Sequence, residues 1–302
     1  MTAVKEADLA RERGIGVLKA GDPAYPALLK TIHEPPPVLY CKGDPGLFER
    51  PAIALVGSRR PTLYGEKMAQ VLARELCGLG IVVVSGLARG IDTAAHRGAL
   101  EAKGKTIAVL GSGLLNVYPP ENKRLADSIG AEGLLLSEFP LSAEPEAWHF
   151  PQRNRLIAGL SMGTVVIEAA EASGALITAR LAAEQGREVF AVPGPVTSKM
   201  SAGPHRLIKE GAKLVEKVED ILEEIGPLKD LILRQKKSAP AAGLELSAQE
   251  SAILGLLDRE PLPIDVLSSR SGLKAGEFSH SLLSLELKGA VRSLPGKIYA
   301  RN

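Results

Sequence analysis

Two arginines stand directly behind a glycine and a serine at Gly57-Ser58-Arg59-Arg60. The four residues follow an apolar run, Ile53 to Val56, and precede Pro61, behind which an amphipathic stretch runs from about Tyr64 to Gly80. A strand, a glycine loop and a helix start mark the place where open α/β sheets bind ligands. The planar guanidinium of arginine donates two parallel hydrogen bonds to a phosphate, so the chemistry implied is the holding of a phosphate chain. Two solvated surface arginines are the plain alternative. The dinucleotide fingerprint requires GxGxxG here, but seven residues separate Gly57 from Gly65 and Pro61 intervenes. The NAD reading fails on that spacing. No GxxxxGK followed by Ser or Thr occurs, so a Walker A loop fails too.

The same grammar recurs. Ser85-Gly86-Leu87-Ala88-Arg89-Gly90 follows a second apolar run and precedes Asp92, read as the N-cap of a helix that carries His96. Asp92 and His96 are four apart, as metal ligands on one helix face would be, but no third ligand is evident, so no metal is expected. Gly111-Ser112-Gly113 follows a third run, with Tyr118-Pro119 after it; it allows a close backbone approach or simply a tight turn. The densest cluster is Trp148-His149-Phe150-Pro151-Gln152-Arg153-Asn154-Arg155. Aromatics that stack bases beside arginines that hold phosphates are what single-stranded nucleic acid requires. A hydrophobic staple with flanking charge is the alternative. Ser173-Gly174 opens another loop–helix junction with free N–H groups.

These loops need a common scaffold. Apolar runs at 53–56, 81–84, 106–110, 133–136, 164–167 and 188–192 read as buried parallel strands. Amphipathic or alanine-rich stretches at 64–79, 92–102, 120–129, 151–160 and 174–185 read as the helices between them. The alternation predicts an α/β fold, an extended Rossmann-like, doubly wound and mostly parallel sheet with right-handed crossovers. In such a sheet every loop named above converges on one rim. Residues 1–40 read as a short N-terminal arm, because His33-Glu34-Pro35-Pro36-Pro37 suits neither a central strand nor a helix interior. The Rossmann-like domain is expected over 41–225 and a solvated linker over 226–245. A winged helix is expected over 246–302, opened by the capping box Ser247-Ala248-Gln249-Glu250, with helices near 264–271 and 275–288 and a hairpin over 290–299.

The 302 residues are 45% hydrophobic but only 4% aromatic, so the core must be mostly aliphatic. A net charge of +2 and a pI near 8.4 are too mild to argue for a polyanion partner alone. Cys41 and Cys77 form no CxxC pair, which suits reduced thiols. The charged N-terminus lacks an apolar core for a signal peptide, and no apolar run is long enough to span a membrane. A soluble, cytoplasmic protein is expected.

Taken together, the motifs resemble the DprA/Smf family of DNA-processing proteins. The resemblance rests on Val56-Gly57-Ser58-Arg59, Ser85 to Asp92 with Ala95-His96, Tyr118-Pro119, Ser137-Glu138-Phe139-Pro140, Phe150 to Arg155, Ser173 to Ala179 and Ala191-Val192-Pro193-Gly194. It covers roughly 22–225 and, more loosely, the C-terminal module. It implies an extended Rossmann domain that binds single-stranded DNA, forms homodimers and loads RecA onto incoming DNA in natural transformation, with no catalytic residues and no cofactor. On that basis the expected DNA-binding residues are Gly57, Ser58, Arg59, Arg60, Arg89, Phe150, Gln152, Arg153, Asn154, Arg155, Ser173 and Gly174. Ser58 and Arg59 would contact phosphate, with Arg153 and Arg155 beside them.

Two departures limit the transfer. Family members often carry a helical domain ahead of the Tyr-Pro-x-x-Leu motif; only about two dozen residues precede Tyr25 here, so functions tied to that domain are not carried over. The family's Gly-Thr-Asn is replaced by Gly203-Pro204-His205, so no contact is assigned to that loop.

An enzymatic reading is the alternative. Gly163-Thr164 to Glu168 is similar to the Pro-Gly-Gly-x-Gly-Thr-x-x-Glu of cytokinin-activating phosphoribohydrolases. Leu160-Ser161-Met162 stands in place of its first glycines, and the glutamate comes one residue later. A third reading places DNA recognition in the winged helix. Its candidate recognition helix holds Glu277 and Glu286 between Lys274 and Lys288, a poor composition for reading a duplex.

Overall fold

The computed structural model describes residues 3–226, 228–229, 247–257, 261–288, 290–294, 296 and 298–301. They divide into two compact units, 1–232 and 233–302.

The first unit is built on β3 (Ala52–Val56), whose five residues are all buried. Its side chains alternate between two cores. Ile53 and Leu55 face the layer formed with Ala69, Leu72 and Leu76, while Ala54 and Val56 face the layer that holds Leu156, Leu176 and Ala179. Burying each of the larger side chains contributes about 1.5–3 kcal/mol. Beside β3 on one side lie β4 (Val82–Ser85), β5 (Thr106–Val109) and β6 (Leu134–Ser137), all parallel. On the other side lie β7 (Gly163–Val166), β8 (Glu188–Ala191) and β9 (Lys213–Leu214), also parallel. The chain therefore winds outward in both directions from the β3–β7 pair, which makes the crevice beyond their C-terminal ends the topological switch point.

The helices follow the strands as the apolar pattern requires: α2 (Leu63–Gly78), α3 (Ile91–Glu101), α4 (Lys123–Glu132), α5 (His149–Gly159), α6 (Gly174–Glu184), α7 (Ala202–Lys209) and α8 (Val218–Glu224). One α-helix, α1 (Ala3–Glu12), precedes them all.

The N-terminal forty residues correct the expectation of an arm. β1 (Gly16–Lys19) pairs antiparallel with β2 (Val38–Gly43), which pairs antiparallel with β6 and extends the sheet to nine strands. The proline run lies between the two strands, where no ladder hydrogen bond is needed. The linker expected over 226–245 lies almost wholly outside the described residues.

The second unit contains α9 (Ala248–Leu256), α10 (Ile264–Ser271) and α11 (Ala275–Leu287), with a three-stranded sheet of β10 (Leu262–Pro263), β11 (Val291–Leu294) and β12 (Ile298–Arg301). This is a winged helix. The capping box is formed: Ser247 Oγ accepts from Glu250 N at 3.2 Å, and Glu250 Oε2 accepts from Ser247 N at 2.7 Å. Phe278, Leu282 and Leu285 turn one face of α11 into the core. Its outer face carries Glu277, Ser279, His280, Leu283 and Glu286.

Candidate nucleic-acid interface

The loop after β3 is held from both sides. Ser58 N donates to the Glu168 carbonyl at 2.6 Å, and the Ser58 carbonyl accepts from Ile91 N at 3.1 Å. Glu168, at the end of β7, reaches back with its side chain. Its Oε2 accepts from Thr62 N at 2.8 Å and its Oε1 from Thr62 Oγ1 at 2.6 Å. Thr62 in turn caps α2 by accepting from Gly65 N. Ser58 Oγ accepts from Arg60 N at 3.0 Å and closes the turn. Only a residue without a side chain fits at Gly57, where a Cβ would sit 2.6 Å from Ile91 Cγ1. Gly90, at φ +74°, provides the left-handed turn that brings Ile91 up against Ser58. Arg59 is thus presented on a clamped loop.

Beneath it lie two buried groups of opposite charge type, Arg153 and Asp92. Arg153 is 3% exposed and its Nη1 donates to the carbonyls of Gly86 and Val109. Asp92 is also buried, and its Oδ2 accepts from Gly86 N at 3.1 Å and Ala88 N at 3.3 Å. Burial pushes the Asp92 carboxyl up from its ordinary range, against the pull of Arg153. Burial brings Arg153 down to about 10, so it remains a cation at neutral pH. Asp92 does not cap α3, contrary to the sequence reading. It is the helix's second residue, and Gly90 occupies the cap. The carboxylate instead ties down the preceding loop, because its two N–H donors lie there.

His96, one turn on, places Nδ1 2.7 Å from Thr106 Oγ1. Burial first, and Arg153 second, hold its pKa down to about 3. Among the described residues no group of three His, Cys, Asp or Glu is placed to hold a metal ion.

Phe150 lies between two guanidinium groups. Arg59 Cζ is 5.2 Å from its ring centroid and Arg153 Cζ is 6.0 Å away. Both are within cation–π range. Tyr118 joins the row 5.6 Å from Phe150, and Arg89 Cζ lies 5.9 Å from the Tyr118 ring. Gly111 packs on the Phe150 ring and Gly113 on the 140–141 backbone, so these two glycines serve internal packing.

A groove of about 800 Å³ runs along this rim. Eight of the expected residues line it: Gly57, Ser58, Arg59, Phe150, Arg153, Asn154, Ser173 and Gly174. Arg89 lines a small recess beside it. Arg60, Gln152 and Arg155 line neither. Arg155 is drawn away by Glu138, with both side chains mostly buried. Arg89 is paired with Glu121. Arg59 and Arg60 make no ion pair among the described residues. A second groove of about 840 Å³ lies along α6 and α7, but its Arg180 and Arg206 are each paired with a glutamate one turn away.

Sequence reasoning left out Tyr118, which lines the rim, and the two carboxylates that shape it, Asp92 and Glu168. Tyr118 carried a signal in its Tyr-Pro dipeptide behind a glycine loop. Asp92 stood in the Ser85–Asp92 motif and Glu168 in the Gly163–Glu168 segment, but neither spacing told which N–H or hydroxyl each carboxyl group accepts from.

A family model described as DNA recombination-mediator protein A matches residues 16–226, and one described as DprA winged helix domain matches 237–297. The chain is 48% identical over 216 residues to the DNA processing protein DprA of Bacillus subtilis, covering 71% of this chain and 73% of the relative. It is similar to the X-ray structure of DNA processing protein A from Streptococcus pneumoniae, with 46% identity and a TM-score of 0.68 over 73% of this chain and 78% of that one. It is also similar to DNA processing protein A from Helicobacter pylori, whose structure is described for its single-stranded DNA binding mode. That match has 31% identity and a TM-score of 0.64, over 73% of this chain and 96% of that one.

Proposed function

We propose a function from this premise: the chain belongs to the DNA recombination-mediator protein A family. It binds single-stranded DNA along the rim groove, protects the strand and loads a RecA-type recombinase onto it in natural transformation and recombination. It does so as a cytoplasmic homodimer, by binding alone. The observation that carries the reading is Arg59, a cation without an ion-pair partner among the described residues, fixed on Phe150 at the mouth of a groove at the sheet's switch point. The single-stranded DNA binding named for the Helicobacter pylori relative supports the same ligand.

The hydrolytic alternative requires Glu168 as an acid or base. Both of its carboxylate oxygens are engaged by Thr62 and the side chain is 3% exposed, which favours a structural role. The outer face of α11 presents two carboxylates and no arginine or lysine, which favours an auxiliary, protein-contacting role for the winged helix over duplex reading.

The test is titration of the full chain with single-stranded and duplex oligonucleotides at several salt concentrations, followed by RecA filament assembly on the protein-coated strand. Preference for the single strand, lost with Arg59→Ala, is expected. Equal or tighter binding of duplex would overturn the reading.

A further inference from the structure

We propose that Trp148 is a stacking platform for an unpaired base, carrying the strand's path past Phe150 and out of the groove; this rests on the single-strand reading above. Trp148 is 60% exposed, although it is among the largest apolar side chains of the unit. That leaves a broad apolar π-face at the surface. The ring is nonetheless anchored. Its Nε1–H donates to Glu146 Oε2 at 2.7 Å. It meets His149 edge-on at 4.1 Å and Phe139 edge-on at 6.3 Å. His149 and Phe139 are themselves buried and lie 3.9 Å apart. The indole is therefore ordered before any ligand arrives, which removes most of the entropic cost of using it.

Its position joins it to the groove. Pro145 and Ala147 on one side of it in the chain, and Phe150 and Pro151 on the other, all line the groove wall. The local charge indicates which part of a nucleotide it meets. Glu144 and Glu146 stand close in sequence and are exposed, so a phosphate is disfavoured here and belongs on the Arg59 side. The indole N–H is already used by Glu146, so the polar edge is occupied and the ring offers its apolar surface. Stacking on that surface discriminates little between bases, because every base has a π-face.

Trp148 is the chain's only tryptophan, so it reports on its own contact. Intact protein is titrated with oligothymidylate while tryptophan emission is followed, and a labelled oligothymidylate gives affinity independently by anisotropy. Quenching that tracks the bound fraction is expected. Trp148→Ala is expected to weaken binding about tenfold with an unchanged salt slope, since no phosphate contact is lost. Trp148→Phe should recover most of the affinity, which a role in charge or hydrogen bonding would not allow. If Trp148→Ala binds like the parent while Arg59→Ala still weakens binding, the single-strand reading stands and this inference falls. If the parent binds no oligothymidylate, both fall.

Discussion

Thr62 donates both its backbone N–H and its hydroxyl to Glu168, at 2.8 and 2.6 Å, across 106 residues of chain. This contact ties the loop after β3 to the end of β7, the two strands that flank the switch point. It is the means by which a flexible arginine becomes a positioned one. Glu168→Ala leaves both Thr62 donors without their acceptor, and hydrogen bonds to a charged group contribute about 1.5–3 kcal/mol each. A stability loss of about 2–4 kcal/mol is expected in urea unfolding, with a smaller loss for Glu168→Gln. The parent should release no free base from a nucleoside monophosphate; release that disappears with Glu168→Ala would revive the hydrolytic reading.

Arg59 and Arg153 flank one ring but should respond oppositely to substitution. Arg59→Ala is expected to leave the melting temperature nearly unchanged. It should weaken binding to all single-stranded sequences alike and lower the salt slope by about one.

Arg153→Met should show the reverse. It removes the donor to the Gly86 and Val109 carbonyls and the nearby charge that pulls the buried Asp92 carboxyl down, and a stability loss of about 1–3 kcal/mol is expected in urea unfolding. Adding Asp92→Asn should recover part of that loss. A stably folded Arg153→Met with impaired DNA binding would make Arg153 a direct contact with the strand.

His96 makes acid stability measurable at one site. Its folded pKa, about 3, lies below the ordinary value of 6.5, so on acidification the unfolded chain takes up a proton that the folded chain refuses. Stability present above about pH 6.5 is therefore lost progressively as pH falls toward 3. Asp92 works in the opposite direction, because its raised pKa favours proton uptake by the folded state. Comparison with His96→Gln isolates the histidine: the parent's advantage over the variant should shrink from about pH 7 to about pH 4. Parallel curves would refute the assignment of a neutral buried imidazole.

The two units give a fifth expectation. A fragment of residues 1–232 should retain single-strand binding and its salt dependence, and a fragment of residues 233–302 should bind neither strand form appreciably. Binding confined to the C-terminal fragment would move the site off the rim groove.

By itself the sequence determined the strand–helix alternation, the winged helix and the rim on which the loops meet. These follow from the local spacing of apolar residues and glycines: 53–56 reads as a buried strand whatever lies beside it, and Ser247-x-x-Glu250 signals a cap through contacts three residues apart. β1 escaped that reading because Gly16–Lys19 is a mostly exposed edge strand without an apolar stripe, visible only through its register with β2. Only the tertiary structure decided what each charged side chain does. Arg59, Arg153 and Arg155 look alike in sequence, yet one is left without an ion-pair partner among the described residues, one is buried against the carbonyls of Gly86 and Val109 and one is held by Glu138. Those outcomes depend on carboxylates and carbonyls contributed by other strands, and a charge goes where its partner and its loss of water balance. Spacing along the chain carries no record of that balance.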